Sequence, residues 1–287
     1  MLIDTHAHLD FPEFAPDLDT VIRRAVEAGV TRIVTIGTSV EGSRRAIELA
    51  QRYPAVYAAI GVHPTFVETA EEDVITPLRE LAQNPRVVAI GETGLDYHHL
   101  PSRQVATEKQ VQVMTALRTE TEEEIEAQIR DGACKSKQAS LFQQQLDLAV
   151  ELGLNVIIHQ RDAWEDTLGI LRPYTGRVRG VFHCFNGTLE QANQAFDLEH
   201  LVSFTGIVTF KNSDTVREVA ARIPLWKFMV ETDCPYLAPA PFRGKRSEPA
   251  HVRIVAESIA ATRETSLEEI ADATTETAEK FFRFHRA

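Results

Sequence analysis

Residues 1–10, "MLIDTHAHLD", decide between two α/β folds. The apolar start predicts a short strand, and "LDTVIRRAVEAG" at 18–29 has apolar residues at helical spacing and ends at Gly29. A doubly wound open sheet usually carries a glycine-rich turn directly after its first strand. Because "DTHAHLD" contains no glycine, this stretch favours a barrel and leaves the open sheet as the alternative.

The alternation of strand and helix continues along the whole chain. The strand candidates are rich in β-branched residues and almost continuously apolar, which is typical of parallel strands buried on both faces. Eight such units without a linker predict an α/β fold, a (β/α)₈ TIM barrel that forms a single domain over residues 1–287. The predicted strands are 1–6, 32–37, 56–63, 87–92, 155–159, 179–185, 201–206 and 227–233.

A long stretch at about 99–137 interrupts the alternation of strands and helices after the fourth predicted strand. Connections in compact domains are usually much shorter, so the stretch is an insertion. It is predicted to be helical and acidic, and a surface insertion without a catalytic role is favoured over a lid or an acidic shield that limits substrate entry. Its predicted apolar side comprises Val111, Met114, Leu117, Ile125 and Ile129, and its predicted solvated side comprises Glu120, Glu122, Glu123, Glu124 and Glu126.

Composition limits the classes of function. The 287 residues include 30 Lys plus Arg and 42 Asp plus Glu, and the net charge of −12 argues against a broad basic surface for nucleic acid. A nuclease remains possible because bound divalent cations supply positive charge locally. Three cysteines without a CxxC pair indicate a reducing compartment. No signal peptide and no membrane span are recognised, so we expect a cytoplasmic protein without membrane association. The sequence implies no stable protein partner.

Polar side chains collect where the predicted strands end. His6 and His8 are two residues apart and therefore point to the same face of a strand. A histidine at a strand end is more often a hydrogen-bonded residue than a metal ligand, but five of the ten histidines lie on this one predicted rim. Together with Glu92 and Asp233 they predict a site for two divalent ions, with Mg, Mn and Zn as candidates, and Glu92 as the natural bridge. The other three histidines are His63, His159 and His183.

Seven sequence blocks, in order, resemble the TatD family of metal-dependent deoxyribonucleases, which belongs to the amidohydrolase-like barrel superfamily. The resemblance covers nearly the whole chain apart from about 99–137. The blocks are "DTHAHLD" (4–10), "GVHP" (61–64), "GETGLDYH" (91–98), "VIIHQRDAWEDTL" (156–168), "FHCFNG" (182–187), "SFTGIVTFKN" (203–212) and "ETDCPYLAP" (231–239).

The resemblance implies a ligand set and a reaction. His6, His8 and Asp233 match the ligands of one metal ion, His159 and His183 match those of a second, and Glu92 matches the bridging carboxylate. The implied activity is hydrolysis of DNA phosphodiester bonds as a 3′–5′ exonuclease on single-stranded or frayed ends. A water activated by the two metals would be the nucleophile, and Asp233 would orient it or take its proton.

The substrate side of the predicted site departs from the family pattern. Thr65 stands where the family often carries a histidine, and Ser247 stands where an asparagine is usual. For the three cationic candidates, an ordinary surface salt bridge is the alternative interpretation. The candidate phosphate contacts are His63, Arg161, Lys211 and Arg243.

Two other functions remain open from the sequence. One is a metal-dependent hydrolase of a non-nucleic-acid ester, lactone or amide bond, or of aminoacyl-tRNA esters. It would use the same barrel and ligands, and the negative net charge of the chain mildly favours it. A non-catalytic interaction protein with a vestigial site is disfavoured because no implied ligand is replaced.

Overall fold

The computed structural model describes residues 1–103 and 122–284. Eight parallel strands form one sheet in which the order of the strands follows the chain. A parallel bridge between Ala7 and Cys234 brings the end of the sheet back to its beginning, so the eight strands form a nearly closed barrel. The strands are β1 (Leu2–Ala7), β2 (Val30–Ile36), β3 (Val56–Ile60), β4 (Val87–Asp96), β5 (Asn155–Arg161), β6 (Gly180–Phe182), β7 (Leu201–Phe204) and β8 (Phe228–Val230).

Helices connect the strands and pack around the barrel, which confirms the predicted (β/α)₈ TIM-barrel fold. Local sequence sets several helix ends. Gly29 follows α1 with φ of 87°, and the Thr188 side chain caps α6 by accepting from the backbone N–H of Gln191. The helices are α1 (Leu18–Glu27), α2 (Val40–Arg52), α3 (Ile75–Leu81), α4 (Glu122–Leu152), α5 (Trp164–Leu171), α6 (Leu189–Asp197), α7 (Asp214–Arg222), α8 (Val252–Thr262) and α9 (Leu267–Phe282).

Strand β4 is longer than predicted, so Glu92 lies inside it and Asp96 lies at its end. Two glycines within the strand allow this extension. Gly94 has φ of 145°, and a Cβ atom at this position would lie 2.0 Å from the carbonyl oxygen of His159 on β5. Gly91 has φ of 143°, and a Cβ atom there would lie 2.7 Å from the carbonyl oxygen of Ile157. Because these two glycines have no Cβ atom, β4 packs directly against β5 up to the rim of the barrel.

Much of the predicted insertion belongs to an ordinary barrel helix. The described part of α4, Glu122–Leu152, already includes residues well before the helix that sequence periodicity suggests. The predicted apolar side was wrong at Ile125 and Ile129, whose side chains are 47% and 72% exposed, because Ala127 and Cys134 face the interior instead. The predicted solvated face holds at Glu126, which is exposed.

The remaining predictions for the insertion concern residues whose side chains are not described. Val111, Met114, Leu117 and Glu120 lie in the range 104–121. For Glu122, Glu123 and Glu124 the structure describes the helical backbone alone.

One end of the barrel is closed by the C-terminal helix. Phe281 and Phe282 of α9 pack with Ile3 and Val34 of the first two strands, and the side-chain amide of Asn155 donates to the carbonyl oxygen of Phe281. The carboxyl ends of the strands lie at the opposite end, where the functional sites of TIM barrels are found. Among the helices in the described residues, none combines the length and the hydropathy that crossing a membrane requires.

Candidate metal centre

The two histidines of the opening motif converge, as their spacing predicts. The Nε2 atoms of His6 and His8 lie 3.3 Å apart, and both side chains are buried. The Oδ1 atom of Asp233, just after β8, lies 3.4 Å from His8 Nε2 and 3.7 Å from His6 Nε2. The backbone N–H of Asp233 donates to the carbonyl oxygen of His6, which fixes this group where the barrel closes.

The carboxylate of Glu92 lies between two groups of imidazoles. Its Oε2 atom lies 3.4 Å from His6 Nε2, on the side of the first group. Its Oε1 atom lies 2.7 Å from His183 Nε2 and 2.8 Å from His159 Nδ1. Each oxygen of one buried carboxylate therefore faces a different set of nitrogen donors.

We call these six converging residues the donor cluster. Among the described residues, three groups have ligand atoms within 4.8 Å of one another: His6, Glu92 and His183; His6, His8 and Asp233; and His63, Glu92 and His159. His63 of the third group is kept apart from the cluster because its Nδ1 atom accepts the backbone N–H of Thr65. Imidazole and carboxylate without thiolate is a donor set that suits Zn, Mn or Mg, so the cluster fits divalent ions. Its members are His6, His8, Glu92, His159, His183 and Asp233.

The carboxylates of the donor cluster are buried and need nearby positive charge to stay ionised. Burial alone would raise the pKa of Glu92, but the neighbouring imidazoles, His183 first, hold it well below its usual range. Burial would also raise the pKa of Asp233, and its hydrogen bond with His8 lowers it instead. Burial opposes protonation of His183, yet the charge of Glu92 raises the pKa of that ring well above its usual value. The two carboxylates thus favour their charged form, and a divalent cation would supply the compensating charge that protonated histidines otherwise provide.

Asp96, at the end of β4, orients His159. Its Oδ2 atom lies 3.1 Å from His159 Nε2, and its Oδ1 atom accepts the backbone N–H groups of His98 and His99 at 2.9 Å. Burial opposes protonation of His159, but its hydrogen bonds with Asp96 and then with Glu92 raise the pKa of the ring. With a metal ion bound, a proton held on Nε2 by Asp96 would leave the Nδ1 lone pair free to bind the ion. Sequence analysis did not predict this contact.

Glu231, at the end of β8, is a second buried carboxylate behind the cluster, and sequence analysis missed it. Its Oε1 atom lies 3.6 Å from His183 Nδ1 and accepts the backbone N–H of Cys184 at 2.6 Å. Its Oε2 atom accepts the Ser203 hydroxyl at 2.6 Å. The signal that could have revealed it is its position two residues before Asp233, the spacing that already linked His6 and His8.

His63 approaches the donor cluster as a hydrogen-bond donor. Its Nε2 atom lies 3.4 Å from Glu92 Oε1 and 3.0 Å from His159 Nδ1. The backbone N–H of Thr65 donates to His63 Nδ1, so the proton of the neutral ring is on Nε2. Burial, and then the charge of His159, lower the pKa of His63 to about 4, which keeps the ring neutral. The residue is therefore arranged to present an N–H group to the cluster.

The three cationic candidates lie at different distances from the centre. Arg161 is exposed at the end of β5, two residues after His159. Lys211 is exposed in the loop after β7, and the exposed Arg243 places its guanidinium 3.8 Å from the centroid of the Phe210 ring. Across residues 1–103 and 122–284, none of the three forms an ion pair with the donor cluster. Ser247 is buried, and its backbone N–H donates to the carbonyl oxygen of Pro235.

The sequence is similar to those of known metal-dependent hydrolases along almost its whole length. Residues 3–283 match the family model described as "TatD related DNase". The chain is 40% identical over 286 residues to the uncharacterized metal-dependent hydrolase YabD of Bacillus subtilis, covering 99% of this chain and 100% of that protein. It is 32% identical over 257 residues to the 3′–5′ ssDNA/RNA exonuclease TatD of Citrobacter koseri, covering 88% of this chain and 87% of that one.

A solved structure shows the same architecture. The TatD homologue YJJV of Escherichia coli K12 superposes with a TM-score of 0.82 at 28% sequence identity, covering 98% of both chains. The family model and the YabD similarity both extend over almost the entire sequence. The chain therefore belongs to the TatD family of metal-dependent hydrolases.

Proposed function

We propose that this hydrolase cleaves phosphodiester bonds of DNA, as a 3′–5′ exonuclease acting on single-stranded or frayed ends. The main supporting observation is that the two oxygens of the Glu92 carboxylate face different imidazoles. Oε2 faces His6, and Oε1 faces His183 and His159. A relative that is 32% identical is named as a 3′–5′ ssDNA/RNA exonuclease, which supports the choice of substrate class and polarity.

The proposed ligands divide into two groups that share Glu92. His6, His8 and Asp233 would hold one divalent ion, and His159 and His183 would hold the other. Bound divalent cations would polarise the phosphodiester and lower the pKa of a bound water.

The chain's own residues would position the reactants and move the proton. The lowered pKa of Asp233 keeps its carboxylate available to accept a proton from the attacking water. The Nε2–H group of His63 would donate to a phosphoryl oxygen as negative charge develops there. Deep burial of His6 and Glu92 keeps bulk water away from this side of the centre.

The proposal is tested with purified protein and single-stranded DNA labelled at one end in parallel 5′ and 3′ versions. With Mg²⁺ or Mn²⁺ the protein should shorten the DNA stepwise from the 3′ end, and EDTA should stop the reaction. Glu92→Gln should lower the rate by about 100-fold or more, because the bridging charge is lost.

Metal analysis separates the two parts of the proposal. Wild-type protein should bind two Mn²⁺ ions per chain by calorimetry, and Glu92→Gln should bind fewer. Metal binding without DNA shortening would overturn the nuclease assignment and leave the metal centre intact. Equal binding by the wild type and the variant would instead overturn the bridging role of Glu92.

A further inference from the structure

A cavity of about 710 Å³ lies beside the His159 and His183 side of the donor cluster. It extends from His183 across the loop after β5 to the start of α5. Its volume is within the range of about 300–1,000 Å³ that is typical of small-molecule sites. A group bound in this cavity would be contiguous with a phosphate held at the cluster.

Aromatic rings form one side of the cavity. The Trp164 ring lies 5.0 Å from Phe182 and 6.1 Å from Phe185, measured between centroids, and all three residues line the space. The indole N–H of Trp164 donates to Gln194 at 2.6 Å, which fixes the orientation of the ring. Phe182 and Phe185 are buried and support the half-buried Trp164 ring from behind. The indole is therefore the aromatic surface on which a flat group such as a nucleobase would stack, whatever its identity.

Carboxylates and cationic groups both line the cavity. The carboxylates are Asp162, Glu165 and Asp166, and the basic side chains among the described lining residues are Arg161, His98 and His183. Arg103 offsets Asp162 through a 2.8 Å contact, and the neutral Tyr97 hydroxyl donates to Asp166 at 2.7 Å. Among the described lining residues, Glu165 and Asp166 at the start of α5 therefore make this side of the cavity negative, and a phosphate placed beside them would meet like charge.

We propose that this cavity binds the terminal nucleoside of a single-stranded nucleic acid and that its carboxylates exclude a terminal phosphate. The aromatic wall accepts the base, and the acidic lining rejects a dianion, so the adjoining phosphodiester is directed to the donor cluster. The inference rests on the proposed nuclease function and adds a discrimination between chain ends that the metal ligands alone do not provide.

The test uses oligonucleotides of one sequence that end in a hydroxyl or in a phosphate, with the 3′ and 5′ ends varied separately. Wild-type protein should favour the hydroxyl form at the degraded end by about tenfold or more in kcat/KM, because like charges in a binding site are repulsive. Glu165→Gln should reduce this ratio. Glu190→Gln is the matched control, since Glu190 occupies the same first-turn position on α6 without lining the cavity, and it should preserve the ratio.

Binding to metal-free protein separates this inference from the nuclease proposal. By fluorescence anisotropy in EDTA, the wild type should bind the hydroxyl form more tightly, and Glu165→Gln should narrow the difference in Kd. Equal affinities of the wild type for both forms, or an unchanged ratio in a Glu165→Gln variant with the wild-type thermal unfolding curve, would overturn the inference. If end discrimination appears in binding while no DNA is shortened, the cavity assignment stands and the nuclease proposal fails.

Discussion

The side-chain amide of Gln138 pairs with both backbone polar groups of Asp96. Its Oε1 atom accepts the Asp96 N–H at 2.8 Å, and its Nε2 atom donates to the Asp96 carbonyl oxygen at 3.0 Å. Two turns further along α4, Gln145 pairs in the same way with Val62, at 2.8 and 3.1 Å. The helix that follows the insertion is thus hydrogen-bonded to the strand ends that carry Asp96 and His63, so the geometry of the rim depends on it.

Gln138→Leu should destabilise the protein by about 2 kcal/mol or more. The substitution removes two hydrogen bonds and leaves a buried N–H and a buried carbonyl without partners, each costing about 1–3 kcal/mol. Urea unfolding of metal-free protein measures the change. Gln143→Leu is the control, because Gln143 is exposed on the same helix, and its effect should stay within about 0.5 kcal/mol. Equal stabilities of the two variants would contradict the role assigned to Gln138.

Asp96→Asn should lower the affinity for Mn²⁺ by about 10–100-fold, the usual effect of removing a carboxylate that orients a ligating histidine. The physical reason is the 3.1 Å contact between Asp96 Oδ2 and His159 Nε2, which fixes the tautomer. Calorimetry gives the affinity, and ¹⁵N spectra of the histidine rings report which nitrogen of His159 carries the proton.

His99→Gln provides the matched control for Asp96. His99 Nδ1 lies 2.8 Å from the same carboxylate oxygen, but His99 is not a member of the donor cluster. Its replacement should change the affinity for Mn²⁺ by less than about threefold, because the contact between Asp96 and His159 is preserved. An Asp96→Asn protein with wild-type affinity and an unchanged His159 spectrum would refute the positioning role.

The periodic features of the chain were sufficient to predict the barrel and the convergence of the cluster. Residues at strand ends meet on one rim, and the two-residue spacing of His6 and His8 set their common direction. The extension of β4 beyond Glu92 could not be predicted in this way. It depends on the close approach of Gly94 to the His159 backbone, which becomes visible only when the two strands are paired.

The contacts made behind the donor cluster could also not be predicted from the sequence. Glu231 reaches Ser203 and Cys184, and Gln138 reaches Asp96 across 42 positions, so their roles depend on long-range packing. The exposure of Ile125 and Ile129 has a similar cause. The face of α4 that packs on the barrel carries the buried Phe142 and Leu146 together with Gln138 and Gln145. These two isoleucines, near the start of the helix, do not lie on this face.

Lowering the pH should weaken the fold through His200, a buried histidine that is not a member of the donor cluster. This ring is fully buried, its Nδ1 atom accepts the Gly180 N–H at 2.9 Å, and burial lowers its pKa to about 4. The unfolded chain, with a histidine pKa of about 6.5, binds more protons between these values, so the free energy of unfolding falls as the pH falls below about 6.5. At pH 5 the loss from this group is about 2 kcal/mol.

His200→Asn should remove that part of the pH dependence, because asparagine can still accept the Gly180 N–H and does not titrate. Urea unfolding at pH 7.5 and pH 5.0 in EDTA gives the difference between variant and wild type, in which contributions common to both cancel. The exposed His98 provides the comparison, and His98→Asn should keep the wild-type difference between the two pH values. A His200→Asn protein with the wild-type pH dependence would show that His200 is not responsible.

Arg243→Ala should flatten the dependence of DNA binding on salt. Each phosphate contact to single-stranded DNA contributes a slope of about −0.7 in the logarithm of affinity against the logarithm of salt concentration, and removal of one contact should reduce the slope by that amount. Stacking on Phe210 at 3.8 Å holds the guanidinium in place while the residue remains exposed, so its charge is available to a phosphate. Arg253, which pairs with Glu257 along α8, supplies the control, and Arg253→Ala should keep the wild-type slope. If wild-type affinity for DNA does not vary with salt, phosphate contacts are absent and a hydrolase of small esters, lactones or amides becomes the better assignment for this acidic chain.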